Sequence, residues 1–409
     1  MLSQFSVSNF RSIKDTMTLD MQAASITEHE EKIIHAENHE VFLPVSVIYG
    51  PNGGGKSNVL RALYALIDKV IRPINVINHQ SDIPTEVDLS IKPFAFSSET
   101  RNQPTEFELF FRTTLAEYRY LLVIQNDKVL YEKLDRKKHA TNRQSALFER
   151  ESGRVTMKSD LKRLKVTDAL NENLPLLSFL GITYRKNEMI NDIINWFQYK
   201  IAFLNYGNPW IEFCLRTDEC EQYKHMILNM LKEMDIDIED YRIEQKENGE
   251  LQVFTTHQVD SYQAELNLRE ESSGTQKIFN VLPVVVDSLF QGKTLVVDEL
   301  DAKIHPSLLK YIIELFNDPV INKKGAQLIF TSHDLTTMNN ALFRRDEIWF
   351  VAKGNQQNSQ LYSLVEFKTE NGQAVRSDAQ YFKQYLEGKY GADPYLRKII
   401  EWENENGQR

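Results

Sequence analysis

Hydrophobic positions along the chain follow two rhythms, and their order predicts an α/β protein. Val45, Val47 and Ile48 form a short, mostly β-branched run that suits a buried strand. Residues 58–71 then place Val59, Leu60, Leu63, Leu66 and Ile67 at near-helical spacing. Upstream, residues 1–23 read as a β hairpin, with Phe5 and Val7 before a turn at Asn9 and Met17, Leu19 and Met21 alternating after it. Downstream, residues 87–96, 107–115 and 118–125 read as strands separated by polar turns, and 131–165 are charge-rich without a clear period. From 166 to 240 the pattern is helical, with stripes at Met189, Ile190, Ile193, Ile194 and Phe197 and again at Met226, Ile227, Met230 and Leu231. Alternation returns over 241–270. A helix follows from 278 to Gln291, with Gly292 at its end and Pro283 as an expected kink. Strands are expected at Thr294–Val297 and Gln327–Thr331, and short helices over 381–386 and 395–402. This alternation indicates a mainly parallel core sheet, an antiparallel β subdomain and a helical insertion.

Composition narrows the class. The chain has 409 residues, 42% hydrophobic and 26% charged, enough for a large core with two or three lobes. A net charge of −10 argues against a uniformly basic nucleic-acid binder. It leaves a local groove open, for which Lys137, Lys138, Arg143, Arg163 and Lys165 are the nearest candidates. No apolar run approaches the roughly 18 residues of a membrane span, and the first residues lack the zones of a signal peptide. A cytoplasmic location is therefore expected, with no membrane partner. Cys214 and Cys220 match no zinc or redox spacing, and His35 and His39 lack a third ligand beside them.

The chemistry begins where the first core strand stops. Gly50-Pro51-Asn52-Gly53-Gly54-Gly55-Lys56-Ser57 fits the phosphate-loop pattern G-x-x-x-x-G-K-[ST] at every fixed position, between a strand and a helix. Glycines let backbone N–H groups curl around phosphate oxygens, and the helix N-terminus adds its positive end. Asn52, Gly53, Gly54, Gly55, Lys56 and Asn58 are the expected nucleotide contacts. Lys56 would reach the β/γ-phosphates, and Ser57 would hold Mg²⁺.

A second half of the site lies far downstream. Lys293–Glu299 reads as a strand ending in two acids, as a phosphate-loop ATPase needs on the adjacent strand. Asp298 would hold Mg²⁺, and Glu299 would orient or deprotonate the attacking water. Ser272-Ser273-Gly274-Thr275-Gln276 opens a helix, where its hydroxyls offer a second anion site or a plain N-cap. A further strand ends in Thr331-Ser332-His333-Asp334. The sequence Asn322-Lys323-Lys324-Gly325 lacks the acid of a guanine-reading motif, which favours ATP over GTP.

Taken in that order, these motifs resemble the ABC-type ATPases. In that family a signature of LSGGQ type from one protomer closes over nucleotide held by another. The resemblance places Ser273, Gly274 and Gln276 on the signature, with Thr275 replacing its second glycine, and His333 on the switch histidine that contacts the γ-phosphate. The opening SNFRSIKD is similar to the SMC, RecF and OLD-type branch, and puts Arg11 on a basic position near the nucleotide. DELDAKIHPSLL and the C-terminal blocks resemble the AAA15/AAA_21 ATPases of bacterial anti-phage and abortive-infection systems. The resemblance implies ATP and Mg²⁺ as cofactors and a homodimer or higher homo-oligomer through shared ATP sites. It also implies a separately encoded effector of RloB-like, TOPRIM or HNH nuclease type. Nucleic acid stays open as a partner, through a RecF- or SMC-like maintenance or repair role. The expected division is an ATPase lobe at 1–150, a mostly helical insertion with returning strands at 151–265, a second lobe at 266–370 and a helical tail at 371–409. His305 stands where many relatives carry an aspartate, and the Q-loop glutamine is either Gln80 or Gln103.

Overall fold

The computed structural model describes residues 1–36, 39–78, 88–166, 170–204, 220–246, 251–354, 356–368 and 372–392. The chain opens with the hairpin β1 (Leu2–Ser8) and β2 (Met17–Asp20), then a small ribbon, β3 (Ile34–His35) and β4 (Val41–Phe42). It then reaches β5 (Val45–Tyr49) and helix α1 (Lys56–Ile77). Five antiparallel strands follow: β6 (Thr105–Arg112), β7 (Ala116–Gln125), β8 (Lys128–Lys138), β9 (Gln144–Glu151) and β10 (Arg154–Met157). Helices α2 (Leu176–Thr183) and α3 (Glu188–Tyr199) lead to β11 (Ile201–Leu204). Helix α4 (Cys220–Glu233) precedes a small sheet of β12 (Asp240–Gln245), β13 (Leu251–Val259) and β14 (Tyr262–Asn267). The last third runs α5 (Ser273–Gln291), β15 (Thr294–Val297), α6 (Pro306–Asn317), β16 (Gln327–Thr331), β17 (Ile348–Lys353), β18 (Ser359–Ser363) and α7 (Tyr381–Leu386).

Two large sheets organise these elements. The core sheet runs β11-β15-β16-β5-β17-β18, parallel throughout except for the β17–β18 hairpin. Its strands are apolar on both faces because both faces are covered. On one side Ile48, Val296, Ile329 and Trp349 pack with α1, α2 and α3 and with the antiparallel sheet β10-β9-β8-β7-β6-β1-β2. On the other, Val47, Val297, Phe330 and Phe350 pack with α4, α5, α6 and α7. Helix α1 is thereby held between two sheets, its Val59, Leu63, Leu66 and Val70 all buried. The antiparallel sheet shows the clean period of two expected of one buried face: Ala116, Tyr118, Tyr120, Leu122 and Ile124 of β7 point inward.

The mixed α/β architecture agrees with the sequence pattern; three segments differ from it, each for a physical reason. Residues 88–96 form no strand. Pro93 cannot donate to a ladder, and the Asp88 carboxylate accepts from Ser90 N at 3.0 Å and Lys92 Nζ at 2.8 Å, making a turn instead. Residues 131–165 hold β8, β9 and β10, whose period is masked by polar pairs across strands, such as Tyr131 with Glu149 at 2.8 Å. Glu132 is buried there because it accepts from Tyr120 and from the first N–H groups of α2, at Leu176 and Leu177. The helical stripe at 187–203 stops early, since α3 ends at Tyr199 and Ile201–Leu204 joins the core sheet beside β15. Helix α5 starts at Ser273 and runs through Pro283. Cys214, Gln80 and the helix expected at 395–402 lie outside the described residues. Among the described residues no helix is long and apolar enough to cross a membrane.

Where β17 meets β5, the Glu347 carbonyl accepts from Val47 N at 2.9 Å, and the Glu347 side chain is fully buried. Burial pushes its carboxyl up to about 8. Between the ordinary glutamate range and pH 8 the folded state therefore holds more protons than the unfolded chain, so stability falls as pH rises through that window. Glu347→Gln is expected to remove this loss, at most about 1.4 kcal/mol per pH unit, in urea-unfolding midpoints followed from pH 5 to pH 8.5.

Candidate active site

β5 ends against the sheet centre, and residues 50–55 turn the chain into α1. At two of its positions the turn passes so close to its neighbours that a side chain is excluded. A Cβ at Gly50 would lie 2.3 Å from Val351 O, and one at Gly55 2.2 Å from Ser359 Oγ. Gly55 is the N-cap of α1 at φ 111° and supplies no side-chain cap. The first N–H groups of a long buried helix are thus presented to the loop, with the positive end of the helix behind them. Asn52 and Gly53 are exposed at the tip, while Ser57 and Asn58 are half-buried. Lys56 donates from Nζ to Gly50 O at 2.8 Å and Pro51 O at 3.3 Å. Burial lowers its pKa, and the nearby carboxylates of Asp298, Glu299 and Asp301 oppose that shift. The phosphate-loop lysine and the downstream acids therefore converge.

The acid pair arrives by a different route from the one expected. β15 is not adjacent to β5; β16 lies between them. That inserted strand ends in Thr331, whose hydroxyl donates to Asp298 Oδ1 at 2.6 Å and accepts from Glu299 N at 2.7 Å. Glu299 sits at φ 51°, a conformation unfavourable for a residue with a side chain, and this hydrogen bond helps hold it there. Just beyond, His333 N donates to Asp301 Oδ2 at 3.0 Å. A threonine at a strand end is common and carries no spacing signal, so the role of Thr331 is visible only in the fold.

His333 is exposed and lines a cleft of about 140 Å³ together with Gly50, Pro51 and Asn52. The cleft also takes Tyr385 from α7, a residue the sequence did not single out. On the segment expected to act as a signature, Ser272 is the N-cap, accepting from Thr275 N at 3.1 Å, and leaves Ser273 exposed as the first residue of α5. The Gln276 amide donates to Glu271 O at 2.7 Å and Arg269 O at 3.2 Å. Gly274 lies against Lys303 O, which a Cβ there would approach to 3.3 Å. One turn on, Lys277 is buried; burial lowers its pKa to about 8 against the pull of Asp301 and Glu299. It brings α5 to the acids of its own chain, a contact that no local spacing signals.

Other expected residues lie at the margin. Arg11 is anchored by Asp88, through its carboxylate at 3.1 Å and its carbonyl at 2.6 Å, and by Ser90 O. The Asn58 amide donates to Ser12 Oγ at 2.7 Å, behind the loop. Gln103 is exposed, and its carbonyl accepts from Asn9 Nδ2. His305 caps α6, accepting from Ser307 N at 3.3 Å. Among the described residues no cluster of three or more histidine, cysteine or carboxylate ligands forms.

The model of the family described as "AAA domain, putative AbiEii toxin, Type IV TA system" matches residues 45–174 and 202–339. No curated protein matches the chain. Among solved structures, the SMC head domain from Thermotoga maritima aligns at 13% identity and a TM-score of 0.40, over 88% of this chain and 98% of that one. The Smc head domain with a coiled coil and joint from Pyrococcus yayanosii aligns at 10% identity and a TM-score of 0.43, over 94% and 99%. Identity this low leaves each residue's role to this chain's own geometry.

Thr331→Val removes the hydroxyl shared by Asp298 and Glu299 while keeping the strand shape. Hydrogen bonds to charged groups are worth about 1.5–3 kcal/mol, so ATP turnover should fall roughly 10- to 100-fold. Thr331→Ser should retain most of it, as read by phosphate release at saturating ATP.

Proposed function

Because the chain belongs to this AAA-domain family, we propose that it is an ATP-binding and hydrolysing switch, completed by a second copy of itself, that controls a separately encoded effector in bacterial anti-phage defence. The observation that carries this reading is the convergence at one rim of Lys56, the Asp298–Glu299 pair and His333, with Thr331 joining the two acids. The phosphate loop and the N-terminus of α1 bind the triphosphate, and Arg11 sits one residue from the serine that backs the loop. Glu299 orients the attacking water and accepts its proton. His333 reads the γ-phosphate from the next strand end.

The residues present fit a magnesium ion. Asp298 engages Thr331 through one carboxylate oxygen, and magnesium is ordinarily held by one or two protein oxygens together with substrate phosphates and water. Ser57 and Asp298 would hold it, and the ion would neutralise charge developing on the phosphates. Two further observations support a shared site. The cleft at the loop, about 140 Å³, is smaller than the roughly 300–1,000 Å³ of ordinary ligand pockets. Ser273 stands exposed on a capped helix start. A second copy would bring its own Ser273, Gly274 and Gln276 to the triphosphate.

In this reading the ATPase machinery is divided between 1–150 and 266–370, with 151–265 inserted and 371–409 as a tail. The chain works in the cytoplasm. The family description, naming a toxin and a type IV TA system, supports a two-component setting, with the nuclease chemistry on an RloB-like, TOPRIM or HNH partner. The alternative, a RecF- or SMC-like DNA clamp, has less support. Of its five candidate basic residues, Lys137 pairs with Glu40 at 2.7 Å and Glu117 at 3.6 Å, and Lys138 lies 3.9 Å from Asp160, so two are drawn into ion pairs within the chain.

Glu299→Gln should keep ATP binding and lower turnover by roughly 10²–10⁴-fold, the usual cost of losing a general base; wild-type turnover in this variant would refute the assignment. The shared site has its own test. Lys56→Ala and Ser273→Arg should each be inactive alone. Mixed in equal amounts with exchange of subunits, they should recover about a quarter of wild-type activity, because half the dimers then carry one intact site of two. No recovery despite demonstrated subunit exchange would mean that the site lies within a single chain.

A further inference from the structure

Behind the phosphate loop, side chains from three distant parts of the sequence form one line of hydrogen bonds. Asn58 Nδ2 lies 2.7 Å from Ser12 Oγ, the Ser12 and Ser359 hydroxyls lie 2.8 Å apart, and Ser359 Oγ lies 2.6 Å from Gly54 O. The Ser359 backbone N–H also donates to Ser12 O at 2.8 Å. Each hydroxyl has a single proton, and this sets the direction of the line. Gly54 O can only accept, so Ser359 donates to it; Ser359 in turn accepts from Ser12, which accepts from Asn58. Each hydroxyl proton is used once, and each bond polarises the next in the same sense. Ser359 is only 3% exposed, so water competes poorly for these contacts.

The far end of this line is a peptide unit of the anion cradle. The carbonyl of Gly54 and the N–H of Gly55 belong to one trans peptide and point in opposite directions. Holding the carbonyl at the back of the loop aims the Gly55 N–H at the front, where phosphate oxygens would lie. Glycine on both sides of that peptide leaves it free to rotate unless something outside the loop fixes it. Ser12 and Ser359 do so, and both fall outside the segments matched by the family model.

We propose that Ser12 and Ser359 are positioning residues that fix the Gly54–Gly55 peptide for phosphate binding. This rests on the reading of the loop as a nucleotide site. It predicts a defect in nucleotide affinity with little change in the chemical step. The test uses the full chain, with ATP titrated in steady-state turnover and a fluorescent ATP analogue titrated in direct binding. Ser359→Ala and Ser12→Ala should each raise KM and the analogue's Kd about 3- to 10-fold, with kcat held within about two-fold. Because both act through one line, the double variant should be little worse than either single one. Thermal melting of each variant establishes that it is folded; if Ser359→Ala does not fold, Ser12→Ala carries the same test. Unchanged KM and Kd in the folded variants, or effects of the two that simply multiply, would overturn the proposal. Lys56→Ala is the control for the premise. If the wild-type chain shows no analogue binding that Lys56→Ala removes, the nucleotide reading fails first and the positioning role falls with it.

Discussion

Everything at the candidate site depends on β5 being buried on both faces between β16 and β17. A strand so enclosed has no freedom to shift register, because a slip of one residue would exchange the side chains facing α1 for those facing α5 and α6. Helix α1 is constrained in turn, pressed between the core sheet and the antiparallel sheet. The loop joining these two elements is therefore a fixed corner. Gly50 and Gly55 are required for clearance, since Val351 and Ser359 occupy the space a side chain would need, whereas Gly53 has open space around it and is favoured by its left-handed φ of 73°.

Within that frame, neutral groups position the charged ones. The Thr331 hydroxyl holds Asp298 and the backbone of Glu299 together, and Asp301 is fixed by the backbone of His333. Such bonds set geometry without cancelling the charges that would act on a nucleotide and its metal. Two lysines, Lys56 and Lys277, approach the acids from different elements, the phosphate loop and α5, and both are held below the ordinary lysine range by burial. Their proximity to Glu299 and Asp301 makes one cluster of parts that lie far apart in sequence.

What could be read without coordinates followed from locality. The phosphate loop, the acid pair and the hydroxyl-rich helix start at Ser272–Gln276 are each contained in a few consecutive residues whose order has a physical meaning, and the two-sided apolar strands announced a covered sheet. Thr331, Ser12, Ser359 and Lys277 escaped because each acts through a neighbour brought close only by the fold. The interposition of β16 escaped for the same reason, as periodicity reveals strands but not their order. The segments that differ have two causes. The turn at Asp88 comes from local hydrogen bonds and Pro93, which periodicity does not register, whereas the charged strands paired across a sheet and the helix stripe continuing into β11 have local patterns that tertiary contacts override.

The sheet order also sets a schedule for making the protein. Leu2 is hydrogen-bonded in both directions to Gln327, 325 residues away, and β5 finds its two neighbours only at residues 327–331 and 348–353. A growing chain can pair β6 through β10 early, since those contacts are local. The phosphate-loop strand must wait, with its apolar faces open, until most of the polypeptide has left the ribosome. The nucleotide corner is thus among the last parts to form, and an unfinished chain ending before β16 would carry the loop sequence without the sheet that supports it.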